Sequence, residues 1–283
     1  MLRPQKRVSP VRIRRRRLKM VIASYVAALL VAGALCLSYV SYLPRYSVES
    51  IQVTGAQATS AKSIVDFAQT IIYDGSHHFF SRANVLLYPK AVIEQDIPRE
   101  FPRVASATIT GDAFSNSITI TIVERQAFAI WCSSDSIPAC YAMDQGGFIF
   151  SQVPPNATSS GEYVFTGGVS TSSAPIGQTF VPGHTQGLVA FLQLLGQSGF
   201  TPLGASVQND QDFIVPLSQG FSVYASFGED PGALVNNLQL VLTSNALAGQ
   251  QQNLQYVDLR FGNKVYYKLK GQAQGVASST KQK

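Results

Sequence analysis

The sequence predicts an α+β protein: one N-terminal transmembrane helix, then a small β-α-α-β-β module, then a mixed β-rich domain with packed helices. Three observations predict it. The charges are segregated, with nine Lys and Arg and no acid in residues 1–19. A run of 24 uncharged residues follows at 20–43. Beyond it, stretches that alternate with period two are interleaved with stretches whose apolar residues recur at helical spacing.

At ~1.5 Å per residue, a helix over 20–43 is long enough to cross a hydrocarbon core of ~30 Å. Lys19 bounds it on one side and Pro44-Arg45 on the other, and Tyr39, Tyr42 and Tyr46 crowd the far end, where amphipathic rings favour the interface. The basic tail predicts a cytoplasmic N-terminus by the positive-inside rule. Ala32-Gly33-Ala34 could be read as a signal-peptidase site, but apolar residues continue through Leu37, which favours an uncleaved anchor. The Arg14–Arg17 cluster then serves as topology determinant and lipid contact.

Residues 46–54 alternate and end at Gly55, predicting a strand and a turn. Ser60 or Thr59 can cap a helix with Ile64, Phe67, Ala68, Ile71 and Ile72 on one stripe. A shorter helix is predicted at about 90–96, before Pro98, and two strands at 104–110 and 117–124. From residue 126 the pattern turns to strands and turn clusters: 127–131, then 141–143 and 148–150 around Asp144-Gln145-Gly146-Gly147. Residues 153–178, rich in Pro, Ser, Thr and Gly, read as loop. A helix fits 185–197, and strands recur at 213–217 and 221–227. Asp230 followed by Pro231 is a strong helix start, predicting a helix to about 247. Strands at 254–261 and 264–270 close the domain around Gly262-Asn263. The expected organisation is a basic cytoplasmic tail at 1–19, a span at 20–43, modules at 46–124 and 125–270, and a disordered polar tail at 271–283.

Composition narrows function. The formal charge is +6, but removing the tail's nine positives leaves 13 against 16 acids, so the body is mildly acidic. That excludes a nucleic-acid footprint on the folded part, which would need basic charge there. His77, His78 and His184 sit on loops away from any Ser, Cys or carboxylate at a catalytic spacing, and no phosphate loop follows the paired glycines. The residues therefore point to no enzyme, small-molecule substrate, cofactor or metal. Cys132 and Cys140 flank a turn-rich stretch between strands in an exported, oxidising setting, which favours a disulfide over metal binding. The segment 264–270, last in its domain, is expected to be an edge strand with unpaired backbone groups. Val265, Tyr267 and Leu269 share one face, and Lys264, Tyr266 and Lys268 the other. A partner segment could add there as a strand.

The tail, the span, the β-α-α-β-β order with Ser47-Val48-Glu49-Ser50-Ile51-Gln52-Val53-Thr54-Gly55, and Phe101-Pro102-Arg103-Val104 resemble an FtsQ-type POTRA domain. Val123-Glu124-Arg125-Gln126-Ala127-Phe128-Ala129, the hairpin of 144–150, and the run from Tyr256 to Tyr267 are similar, in order, to the rest of the FtsQ/DivIB bacterial cell-division family. The resemblance implies a non-enzymatic scaffold of the divisome in the bacterial cell membrane, at the division septum. It would bind coiled-coil partners of the FtsB/DivIC and FtsL kind. It places Arg260, Phe261 and Asn263, with the adjoining strand, at the partner site, and Arg103 on a recruitment surface of the first module. Two other classes stay open: a POTRA-containing accessory protein of another envelope process, and a membrane-anchored extracytoplasmic hydrolase.

Overall fold

The computed structural model of the chain describes residues 10–133, 139–154, 163–170, 173–247, 249–262, 264–271 and 275–278. It is a mixed α+β structure in which one N-terminal helix is long and apolar enough to cross a membrane. That helix, α1 (Pro10–Ser41), starts inside the basic tail rather than at Met20, because Arg, Lys and Leu are good helix formers. It ends at Ser41, and Pro44–Tyr46 forms a single 3₁₀ turn.

The rest of the chain divides into two compact units. One holds α1 and the chain to Pro98 with Ser106–Glu124; the other holds Arg99–Ala105 with everything from Arg125. The two units divide at Glu124/Arg125, and the second also takes in Arg99–Ala105.

The first unit contains β1 (Ser50–Thr54), α2 (Ala61–Ile72), α3 (Lys90–Glu100), β2 (Val104–Asp112) and β3 (Ser117–Glu124). Its sheet order is β1-β3-β2, with β1 parallel to β3 (Ile51 opposite Ile118, Val53 opposite Ile120). The alternating isoleucines of β3, Ile118, Ile120 and Ile122, are buried, as are Ile64, Ala68 and Ile72 of α2 and Ile93 and Ile97 of α3. Ser60 caps α2, its hydroxyl accepting from the Ser63 N–H at 3.3 Å. Pro98, expected to end the second helix, lies inside its last turn. Gly55 ends β1 at φ +86°, and a Cβ there would lie 2.2 Å from the Ile122 carbonyl oxygen, so only glycine fits.

The second unit adds β4 (Ala129–Cys132), β5 (Cys140–Met143), β6 (Ile149–Gln152), β7 (Tyr163–Thr166), α4 (Thr185–Gln197), β8 (Gly204–Val207), β9 (Asp212–Pro216), β10 (Ser222–Ser226), α5 (Pro231–Leu242), β11 (Leu254–Phe261), β12 (Lys264–Leu269) and β13 (Gly275–Ser278). They form one sheet in the order β13-β12-β11-β10-β9-β8-β7-β4-β5-β6. The pairs β7–β8 and β10–β11 are parallel, and each is joined through a helix, α4 and α5 respectively. A third parallel pair, β4–β7, has β5 and β6 between its strands along the chain instead; a parallel pair needs a long connection, most often a helix. Phe191, Leu192 and Leu195 of α4 and Leu234, Leu238 and Val241 of α5 share a core with Trp131, Phe165, Val215, Val223, Val257 and Val265 of the sheet. Asp230 caps α5, accepting from the Ala233 N–H at 2.7 Å.

Three expectations are corrected. Residues 153–178 are not all loop: Tyr163–Thr166 is a central strand, and Phe165 is fully buried between β4 and β8. Four β-formers suffice when both neighbours supply hydrogen bonds. α5 stops at Leu242 rather than near 247. The tail 271–283 is not wholly without structure, because Gly275–Ser278 pairs with β12; residues 272–274 and 279–283 lie outside the described residues.

Candidate interaction surface on the terminal strands

β12 alternates as its sequence predicts. Val265 and Leu269 are buried in the core with Tyr267 packed against it, Lys264 is exposed, and Tyr266 and Lys268 are half-buried on the other face. Its backbone edge, expected to be open, is covered. β13 runs antiparallel to it, with Lys264 opposite Ser278 and Tyr267 opposite Gly275. The unpaired N–H and C=O row of β12 favours any short β-competent segment within reach, and after the reversal at Gly271 (φ +79°) the chain's own Gly-Val-Ala-Ser is the nearest.

The solvent-side face of β9–β12 is aromatic and charged. Tyr224 and Tyr256 stack with ring centroids 4.8 Å apart, and Phe261 meets Tyr266 edge-on at 4.9 Å. Register sets Tyr224 and Tyr266 on either side of Asp258, and Lys268 opposite Tyr256. Asn263 lies outside the described residues.

Arg260 sits between these rings, but not as a free ligand for a partner carboxylate. Its Nε and Nη2 donate to the two oxygens of Asp258 at 2.9 and 2.7 Å, and its Nη1 donates to Asp212 at 3.0 Å. Its guanidinium also lies 5.5 Å from the Tyr224 ring centroid. The hydrogen bonds to Asp258, and secondarily to Asp212, hold its pKa above the ordinary value against the opposing effect of burial. Burial pushes the Asp212 carboxyl up, but bonds from the Ser226 hydroxyl and Arg260 outweigh it and leave the carboxyl below its usual range. Asp258 is 3% exposed. The two acids and the arginine form a partly covered cluster engaged with one another. Sequence reading passed over Asp258, although residues two apart on a strand share a face and Asp258/Arg260 has that spacing. Asp212, 48 residues away, left no such local trace.

Arg103, expected on an exposed recruitment surface, is half-buried within the second unit. It donates to the Ser151 hydroxyl at 2.9 Å and lies 5.4 Å from the Phe150 ring centroid. Neighbouring Arg125 donates to the Pro102 carbonyl and pairs with Asp144 at 2.6 Å, over the Phe148 ring. The Phe-Pro-Arg segment is thereby fastened to the β5–β6 hairpin.

Cys132 and Cys140 are disulfide-bonded, facing each other across the β4–β5 pair; residues 134–138 of the connection lie outside the described residues. His184 stacks on Phe227 at 5.0 Å, and His78 Nε2 lies 2.9 Å from Asp74. Among the described residues, no group of three or more His, Cys, Asp or Glu could hold a metal ion.

No protein-family model matches the chain, and no characterised protein is detectably similar to it in sequence.

Proposed function

We propose that this chain is a non-enzymatic membrane scaffold of bacterial cell division of the FtsQ/DivIB kind. It would be anchored by α1 with its tail in the cytoplasm and would act at the septum through protein contacts outside the membrane. The observation that carries the reading is the face of β11 and β12. Tyr256, Phe261 and Tyr266 form an aromatic strip beside Lys268, and aromatic side chains are enriched at protein interfaces. It lies beside a strand edge that, among the described residues, is covered by Gly275–Ser278 of the chain's own tail. The β1-β3-β2 module with two helices has the element order of a POTRA domain and supports the same reading. Membrane lipids would meet the tail and span.

On this reading an extended segment of an FtsB/DivIC- or FtsL-like partner takes the place of β13 on β12, with its side chains on the Tyr266/Lys268 face. Lys264 and Lys268 favour an acidic segment. Removal of residues 271–283 is expected to raise partner capture several-fold, since the competing strand is gone. Tyr266→Ala and Lys268→Glu are each expected to lower it at least tenfold with unchanged circular dichroism. Pull-down of the division coiled-coil proteins with purified full-length chain measures all three. Wild-type capture by two folded point variants would place the interface elsewhere.

A further inference from the structure

We propose that the segment between α2 and α3 dips into the extracytoplasmic leaflet of the bilayer beside the span, with Phe79 and Phe80 as its lipid anchors. The inference rests on the reading of α1 as a membrane span.

The segment carries large apolar side chains turned to solvent. Phe79 is 53% and Phe80 42% exposed, their rings edge-to-face at 4.9 Å, and Tyr73, Leu86 and Leu87 of the same stretch are exposed too. Left in water, such a group is unfavourable, and on soluble surfaces contiguous apolar patches mark interaction sites. What distinguishes this patch is its place along α1. The Ser38 hydroxyl donates to the Phe79 carbonyl, the Tyr42 hydroxyl donates to the His78 carbonyl at 2.6 Å, the Ser81 N–H donates to the Ser41 hydroxyl at 3.0 Å, and Asn84 donates to the Ser41 carbonyl at 3.1 Å.

Those contacts set a depth. The apolar run 20–43 is centred between Val31 and Ala32, so Ser38 is six to seven residues past the centre. At ~1.5 Å per residue this is ~10 Å, inside the ~15 Å half-thickness of a hydrocarbon core. Tyr42 falls at ~16 Å by the same measure, at the boundary. Phe79, fastened to Ser38, is therefore carried to the level of the outer acyl chains and Phe80 beside it.

Non-helical backbone at that level is tolerated only where its polar groups are satisfied by protein. The carbonyls of His78 and Phe79 are satisfied, by hydroxyls of α1 and of the residue that follows it. The charged groups are gathered on another partner: Asp74 holds both His78 Nε2 at 2.9 Å and Arg82 Nη1 at 2.8 Å. An Arg–Asp ion pair beside an aromatic pair suits the headgroup boundary, where rings lie in the interface and charged heads reach water.

Nitroxide labels on the full-length chain in phosphatidylcholine–phosphatidylglycerol vesicles test this. Single cysteines are placed at Leu29, Lys62, Phe79 or Phe80 in a Cys36→Ala background, and collision with oxygen and with a water-soluble nickel chelate is compared. The expected result is a deep reading at Leu29, an aqueous one at exposed Lys62, and oxygen-biased readings at Phe79 and Phe80 at least threefold above Lys62. Aqueous readings at both phenylalanine positions with Leu29 deep overturn the inference and leave the span intact. An aqueous Leu29 overturns the span and the inference with it. Phe79→Trp checks the result without a label. Because Trp131 is buried, the difference in fluorescence from wild type belongs to position 79. Chain-brominated lipid is expected to quench that difference at least twofold, and an unquenched signal overturns the inference.

Discussion

Arg260 is the residue whose role the structure changes most. A guanidinium that holds Asp258 at two points and Asp212 at a third stabilises the sheet before it can serve a partner. Removing it leaves Asp258, whose side chain is 4% exposed, without a counter-charge. Breaking a buried pair in this way costs ~3–5 kcal/mol, and the 31% exposure of the Arg260 side chain reduces the expectation to about 2–3. Arg260→Gln should therefore lower the denaturation midpoint of the purified chain clearly. Asp258→Asn combined with Arg260→Gln should cost less than the sum of the singles by about 1–2 kcal/mol, since the uncompensated charge is gone. Additive singles would show that the cluster is solvated. Glu124 plays a comparable part in the first unit. Its carboxylate accepts from the N–H of Gln57, Ala58 and Thr59 at 3.2, 3.0 and 2.7 Å, tying the end of β3 to the approach to α2. Burial raises its pKa, but these backbone bonds outweigh that and the net shift is downward. A carboxyl whose folded pKa lies below its unfolded value stabilises fully above the unfolded value, about 4.3, and the contribution is lost as pH falls through the folded value. Glu124→Gln is thus expected to cost about 1 kcal/mol near pH 7, given how open the site is. The gap to wild type should shrink below about pH 4 in melts taken as a function of pH.

At the scale of elements, the β4–β5 hairpin and the closing strands behave differently. In the hairpin, Cys132 lies opposite Cys140, the Ser133 N–H donates to the Ala139 carbonyl at 3.0 Å, and the disulfide closes a short loop. By chain-entropy reasoning so short a loop contributes roughly 2–3 kcal/mol at most. Cys132→Ser with Cys140→Ser should lower the midpoint of the second unit modestly without unfolding it, because Trp131 and Met143 are buried independently of the bridge. Non-reducing peptide mapping of envelope-purified chain should find the pair linked; two free thiols would refute it. The alternation of β12 was legible because a buried face imposes period two on the residues themselves. The partner on the far side of β12 was not legible. Gly-Val-Ala-Ser is too short and too plain to stand out, and its pairing is decided by what edge lies within reach.

For the whole molecule, segregated charge is the governing feature. On the proposed reading, the nine positives before the apolar run would set one orientation for α1, tail inside and both folded units outside. Protease added to intact spheroplasts is expected to digest both units and to protect only the tail and span. A mature N-terminus near Leu35 would overturn the anchor. The same orientation would put Cys132 and Cys140 on the side where a disulfide persists.

By itself the sequence determined the features whose cause is local. A helix long and apolar enough to cross a membrane follows from an uncharged run of sufficient length, α5 from Asp230-Pro231, the β3 face from Ile118, Ile120 and Ile122, and the turn after β1 from Gly55. The tertiary structure alone decided what depends on partners distant along the chain. It made Tyr163–Thr166 a central strand, gave Arg260 its Asp212, fastened Arg103 to Ser151, laid β13 on β12 and brought Phe79 to Ser38. A helix repeats its own hydrogen bonds within four residues and so writes its pattern into a short stretch of sequence. A strand edge or a charged side chain is satisfied by whichever element folding brings alongside, and nothing near it in the sequence records the choice.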